Sequence, residues 1–154
     1  MTIPSYVDAD PVALALRTLR SSERLLEAIG SLVAPSGSGP AVAEHVSGER
    51  EAPWPHVRVI PGVGGIAGHA VRGVQSVEVD VDVWDHPDQR LGKKAIRDVA
   101  TIAREELVAL AFADEDPPGL IVYDVKAPVP QNQTLANGHI RYFFTATFDV
   151  RPAT

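Results

Sequence analysis

The chain has 154 residues, no cysteine, and a formal net charge of −6 from 14 basic and 20 acidic residues. This length predicts one domain over residues 1–154, with a core large enough to fold without a metal or a disulfide. The absence of cysteine excludes a disulfide scaffold, a thiolate zinc site and a thiol nucleophile. No apolar run is long enough to span a bilayer and no secretion signal is recognisable, so we expect no membrane partner. The sequence has no basic stripe, which argues against tight binding to nucleic acid.

The first helix signal lies near the N-terminus. Asp10 is placed to cap a helix, and Pro11 would occupy the first helical position, where its missing N–H has no cost. Apolar residues recur at helical spacing over Val12–Val33, and a break or restart is predicted at Ser21–Ser22. A segment rich in proline, glycine and serine follows. The run Ala41–Val46 then fits a short strand or a turn of helix, and the sequence does not decide between them.

Alternating apolar and polar residues predict four strands. They are Trp54–Ile60, Val74–Asp85, Leu120–Lys126 and His139–Arg151, with a second amphipathic helix over Pro87–Leu110. The second and fourth strands are long for a domain of this size. We therefore expect their ends to project from the sheet and to need a partner.

The order of elements is helix, strand, strand, helix, strand, strand. It predicts an α+β fold, with an antiparallel or mixed four-stranded sheet and two helices on one face (α-β-β-α-β-β). Projecting β-hairpin loops are expected over residues 61–73 and 127–138.

Two patterns invite a chemical interpretation. Gly62–Gly73 holds five glycines in twelve residues, but no Gly-Lys-Ser/Thr follows and the segment joins two strands. We predict a flexible hairpin tip there and not a phosphate-binding loop. Glu78, Asp80 and Asp82 share one strand face and could bind magnesium or calcium. We favour a solvated strand face, or a face that meets arginines of a neighbouring subunit.

The search for a catalytic arrangement finds none. The five histidines form no metal-binding pair and no serine lies in a nucleophile elbow, so we predict no enzyme activity, no cofactor and no metal site. Phe143 points outward beside Arg141 and threonines, which favours a protein contact over base stacking. The candidate interface residues are Gly62, Gly64, Gly65, Ile66, His69, Arg72, Glu78, Asp80, Asp82, Asn132, Arg141 and Phe143.

Four features in chain order carry a resemblance to a known family. The first helix begins with Asp10–Ala13, and a proline–aromatic–proline sequence, Pro53–Val57, leads into a short strand. A long strand ends in Val81–Trp84 directly before an amphipathic helix, and the chain closes on a long aromatic strand. Over about residues 10–151 this order resembles the tail terminator (tail completion) proteins of long-tailed bacteriophages. The chain departs from shorter family members by an insertion around Pro35–Glu51 and by its glycine-rich segment.

The resemblance implies a structural role. Family members form a homo-oligomeric, hexameric ring that caps the tail tube, ends its polymerisation and joins the tail to the head connector. The implied partners are further copies of the chain, the tail tube protein and the head connector protein, while DNA passes through the lumen without specific binding. The implied location is the head–tail junction of the virion, assembled in the host cytoplasm. Two alternatives stay open: another connector subunit, such as a head-closure or joining protein, and a small metal-binding enzyme.

Overall fold

The structure is a computed structural model, and it describes residues 10–30, 42–43, 56–68, 73–85, 91–135 and 140–153. These residues form an α+β fold in which three α-helices lie on one face of a six-stranded sheet. The predicted fold class is confirmed, and the described sheet has two short strands in addition to the four expected. None of the described helices is both long enough and apolar enough to cross a membrane.

The N-terminal helical region breaks where the sequence indicates. Helix α1 (Pro11–Arg20) is capped by Asp10, whose side chain accepts a hydrogen bond from the Val12 N–H at 2.9 Å. Ser22 then caps α2 (Glu23–Gly30) by accepting a hydrogen bond from a backbone N–H of its first turn at 3.1 Å. The paired serines therefore end one helix and start the next.

The second amphipathic helix is shorter than predicted. Helix α3 spans Lys93–Val108 and continues as a single 3-10 turn over Ala109–Phe112. Gly92, immediately before it, has a φ of 94°, a conformation that glycine adopts without strain. Residues 86–90, where the sequence pattern placed the helix start, lie outside the described residues.

The sheet is mixed, because its first strand pairs in parallel and the other pairs are antiparallel. The strand order is β1-β2-β3-β6-β4, and β5 pairs with the first part of β6. Strands β4 and β5 thus lie end to end along one side of β6. The strands are β1 (Val42–Ala43), β2 (His56–Gly68), β3 (Gln75–Trp84), β4 (Leu120–Lys126), β5 (Gln131–Thr134) and β6 (Ile140–Pro152).

The segment Gly62–Gly73, predicted as a flexible hairpin tip, is strand over much of its length. Strand β2 continues through its first half, and this part of the prediction is wrong. The pairing of β2 with β3 shifts register between Pro61 and Ile66, so residues 62–65 all stand opposite Glu78. Such a bulge interrupts the ladder without ending the strand. The glycine content of this bulge therefore resembles that of a loop, which is why the sequence pattern predicted a loop here.

The polar segment 127–138, predicted as a loop, contains β5. All four residues of β5 are exposed, whereas Tyr142, the register partner of Asn132 on β6, is buried. Pro128 and Pro130 separate β5 from β4, because proline cannot donate to the ladder. Arg104 of α3 fixes this linker by donating from Nε to the Ala127 carbonyl oxygen at 2.8 Å.

The core fills the space between the helices and one face of the sheet. The valines at positions 79, 81 and 83 of β3 are fully buried, and so are the aromatic and small residues at alternate positions of β6. The helices contribute apolar stripes at three- and four-residue steps. The main contributors are Leu14, Ala15, Leu19, Leu25, Ile96, Val99, Ala103, Leu107, Phe144, Ala146 and Phe148.

Candidate functional site

The sheet face turned away from the helices is the candidate functional surface, and we call it the open face. The buried apolar residues of the described helices join the core on the opposite face. Successive residues of a strand point to opposite faces, so the open face carries the alternate positions. On the three central strands these are Arg58 and Ile60 of β2, Ser76, Glu78, Asp80, Asp82 and Trp84 of β3, and Arg141, Phe143, Thr145, Thr147, Asp149 and Arg151 of β6.

Asp82 lies at the centre of a charge cluster on the open face. It is only 3% exposed and is approached by arginines from both neighbouring strands. Arg58, its register partner on β2, donates from Nε to Oδ2 at 3.0 Å and also forms a salt bridge through Nη2. Arg141 of β6 places Nη2 3.3 Å from Oδ1. The two guanidinium groups compensate a carboxylate that would be costly to bury unpaired.

Arg141 is also held between two aromatic rings. Its guanidinium carbon lies 4.6 Å from the ring centroid of Phe143 and 5.6 Å from that of Trp84, both within the range of a cation–π contact. Its Nε is buried and has no hydrogen-bond partner among the described residues. The position of Arg141 therefore depends on stacking as well as on its carboxylate partner.

Two further carboxylates of the open face, those of Asp80 and Asp149, are paired across the strands. Thr145 of β6 donates from Oγ1 to Asp80 at 2.7 Å, and these two residues are register partners. Ser76 of β3 donates from Oγ to Asp149 at 2.5 Å, and these residues also stand opposite each other. Each cross-strand pair of this kind makes its own contribution to the stability of the sheet.

This arrangement bears on the metal-binding alternative. The carboxylates of Asp80 and Asp82 are occupied by a hydroxyl and by guanidinium groups of the same chain. In the part of the chain that the structure describes, no three His, Cys, Asp or Glu side chains are grouped to hold a metal ion. The arginines that meet the acidic row of β3 thus come from this chain itself, whereas the sequence had suggested a solvated face or a neighbouring subunit.

Gly62 lies against the open face. A Cβ at this position would stand 2.5 Å from the Cβ of Glu78 and 2.9 Å from its carbonyl carbon, closer than real side-chain atoms approach. Only glycine fits there without a shift of the strands. Gly62 is therefore required for the close passage of β2 over β3 at the bulge.

The structure places the predicted interface residues in several locations. Glu78, Asp80, Asp82, Arg141 and Phe143 come together on the open face. Asn132 lies on exposed β5 with its register partner Tyr142 on the helix side, so it does not join that group. The backbones of Gly64, Gly65 and Ile66 belong to β2, while His69 and Arg72 lie outside the described residues.

Sequence reasoning missed several members of the open face. Arg58 occupies a polar position of an alternating strand, yet its pairing with Asp82 becomes evident only from the register of β2 and β3. Trp84 and Asp149 were missed for the same reason. Asp85, just beyond the acidic row in the sequence, is buried and accepts hydrogen bonds from the backbone N–H groups of Leu91 at 2.9 Å and Gly92 at 3.3 Å, ahead of α3.

Comparisons with known proteins show the fold. No protein-family model matches the chain, and no curated protein matches it. Among solved structures, it is similar to a chain of the virion of a native gene transfer agent (GTA) particle, with a TM-score of 0.65 and 16% sequence identity. The similarity covers 97% of this chain and 100% of that chain. The shared fold therefore extends over nearly the full length of both.

Proposed function

We propose that this chain is a structural protein of a phage-like virion and not an enzyme. The observation that carries the proposal is the end-to-end similarity to a chain of the gene transfer agent virion, with a TM-score of 0.65. The open face is compatible with it, because Asp82 pairs with two arginines, and Asp80 and Asp149 accept hydrogen bonds from a threonine and a serine hydroxyl of the same chain. A fold alone does not define a function, so the assignment needs a direct test.

Within the virion, we assign the chain to the tail terminator position. The order of the motifs supports this assignment: α1 begins at Asp10–Ala13, β3 ends in Val81–Trp84 before α3, and β6 closes the chain with aromatic residues. In this role, copies of the single-domain chain form a hexameric ring at the head–tail junction. The ring contacts the tail tube protein on one side and the head connector on the other.

The charge of the chain suits such a ring. Its net charge is −6, and the open face has no run of unpaired arginines or lysines that would grip phosphates. DNA could then pass through the lumen without specific binding. Ring closure requires two different surfaces on each subunit. The predicted interface residues on the open face, on β2 and on β5 supply candidates for them.

The experiment uses the full chain with the tail tube protein of the same particle. Light scattering should give the mass of a hexamer of the 16.5 kDa chain, and tubes grown in its presence should be shorter and capped at one end in electron micrographs. Asn132→Arg, at the exposed end of the sheet, should weaken capping. Ala13→Arg, an equal charge change on the exposed side of α1, should not. A chain that stays monomeric and does not bind to tube ends would contradict the assignment.

The similarity to a virion chain fits a head-closure or joining subunit equally well, because it gives no position within the particle. Labelling the chain in intact particles separates the two roles. Density directly on the tube supports the terminator, and density on the portal side supports the connector subunit.

A further inference from the structure

The charges of α3 are arranged against the dipole of the helix. Its first turn carries Lys93 and Lys94 and no acidic residue, while its last turn carries Glu105 and Glu106 and no basic residue. A helix dipole favours acidic residues near the N-terminus and basic residues near the C-terminus, so this order costs stability. The N-cap position also lacks a side-chain hydrogen bond. The lysines at the start of α3 therefore do not stabilise the helix itself.

The start of α3 carries an excess of positive charge, and we call Lys93, Lys94 and Arg97 the basic end. Lys94 pairs with Asp98 at 2.6 Å, one turn along the helix. Lys93 and Arg97, also one turn apart, are both exposed, and neither forms an ion pair with a described residue. This positive surface stands out on a chain whose net charge is −6.

The other end of α3 leads into an acidic segment, Asp114–Asp116. All three of its residues are exposed, and they follow the 3-10 turn directly after Ala113. Asp116 accepts a hydrogen bond from the backbone N–H of Val122 at 3.1 Å. Asp114 and Glu115 have no ion-pair partner within the described ranges. The chain thus presents opposite charges beyond the two ends of one helix.

The basic end and the acidic segment cannot neutralise each other within one chain. Helix α3 has 16 residues, and at about 1.5 Å per residue its ends lie about 24 Å apart. Arg17 of α1 is closer to the acidic segment, because it lines a surface groove together with Pro117. One arginine offsets at most one of three carboxylates, so a negative excess remains.

We propose that the basic end of α3 in one copy binds the acidic segment of the next copy, head to tail. Lys93 and Arg97 of one copy then face Asp114 and Glu115 of its neighbour. The proposal rests on the proposed function, because a ring needs two different surfaces on each subunit. It supplies one such pair of surfaces and names the charges that hold it.

A second copy is the occupant for two reasons. The chain is acidic overall, so its copies repel one another unless opposite charges meet at the contact. The same chain presents one surface of each sign at opposite ends of α3, which is the arrangement that a head-to-tail contact requires. Opposite charges across an interface also determine which surfaces meet.

Two charge-reversed variants of the full chain test the contact. Variant A carries Lys93→Glu and Arg97→Glu, so both surfaces are acidic, and variant B carries Asp114→Lys and Glu115→Lys, so both are basic. Neither should assemble alone, because like charges would meet at every contact. A mixture of A and B should assemble in alternation, because each contact then joins opposite charges.

Light scattering measures the mass of each variant and of the mixture, and circular dichroism checks that each variant folds. The proposal is overturned if folded A or folded B alone reaches the mass of the unmodified assembly. It is also overturned if the mixture of the two folded variants stays monomeric.

A single reversal provides a matched control. Arg97→Glu should raise the dissociation constant of the contact about tenfold or more, because like charges at an interface are strongly unfavourable. Lys126→Glu, an equal charge change at an exposed position of β4, should leave it unchanged. Raising the salt from about 0.1 M to about 1 M shortens the Debye length from about 10 Å to about 3 Å and should also weaken the contact. Equal effects of the two reversals, or no effect of salt, would overturn the proposal.

The outcome separates this contact from the proposed function. If the unmodified chain, A and B all cap tubes as hexamers, the ring stands and the charged contact is overturned. If the unmodified chain caps tubes but stays monomeric in solution at low salt, the contact is overturned while the role at the tube end stands. A dimer that forms only when opposite charges are present means that the two surfaces meet about a two-fold axis, which overturns both the head-to-tail contact and the hexamer.

Discussion

The two faces of β3 bury their residues by different means. Val81 and its neighbours on the helix side are fully buried among apolar side chains. Asp82, the next residue, is 3% exposed on the open face and is held by two arginines. Apolar burial contributes about 1.5 to 3 kcal/mol for each such side chain and has no preferred direction. The burial of Asp82 depends instead on two specific partners, the guanidinium groups of Arg58 and Arg141.

Strand β6 repeats this contrast. Phe144 and Phe148 enter the core, while Phe143 lies on the open face under the guanidinium of Arg141. The same residue type is therefore a core residue at two positions and a platform for a cation at the third. Position in the alternation, and not side-chain chemistry alone, decides the role of each residue.

The largest effect is expected from placing a charge on the apolar face. Val81→Asp buries a carboxylate without a partner, and we expect it to lower the free energy of unfolding by about 4 kcal/mol or more. Chemical denaturation followed by circular dichroism measures the change. Gln133→Asp, on exposed β5, is the control and should change stability little. Equal stability of the two variants would mean that the valine face of β3 is not the core.

A smaller effect is expected from removing the charge at the centre of the open face. Asp82→Ala leaves Arg58 and Arg141 facing each other without the carboxylate between them. Because both arginines are partly exposed, we expect the free energy of unfolding to fall by about 2 kcal/mol, which is less than for a fully buried pair.

The matched control for Asp82→Ala is Asp98→Ala on α3. Asp98 pairs with Lys94 one turn away at 2.6 Å, and both side chains are exposed. Such a surface pair contributes about 0.3 to 0.5 kcal/mol, and alanine favours the helix, so little change is expected. If Asp82→Ala and Asp98→Ala lower the free energy of unfolding by the same amount, the ion pairs of Asp82 stabilise the protein no more than an exposed surface pair does.

The sequence predicts what local patterns determine. The cap at Asp10, the break at Ser21–Ser22 and the two faces of β3 all depend on neighbours within a few positions. The α+β arrangement that these features produce could therefore be predicted from the sequence alone. The short strand β5 was not, because its four polar residues carry no alternating apolar signal.

The candidate site was predicted only in part. The acidic row of β3 could be placed on one face, but its partners could not, because Arg58 is 24 residues from Asp82 in sequence and Arg141 comes from another strand pair. Register is set by the pairing of whole strands and leaves no local mark. The sequence places Gly62, Gly64 and Gly65 in a loop, because a bulge and a turn favour the same residue type.

The third effect sharpens the comparison at the bulge. Gly62→Ala places a methyl group 2.5 Å from the Cβ of Glu78, so β2 must shift away from β3, and we expect a loss of about 1 to 2 kcal/mol. Gly30→Ala, where an added Cβ meets nothing within 4 Å, is the matched control and should be neutral or slightly stabilising at the end of α2. Denaturation midpoints measure both variants. If Gly62→Ala leaves the stability unchanged, the bulge accommodates a side chain at this position. The close approach of β2 to β3 would then occur because the residue is glycine, but the fold would not depend on it.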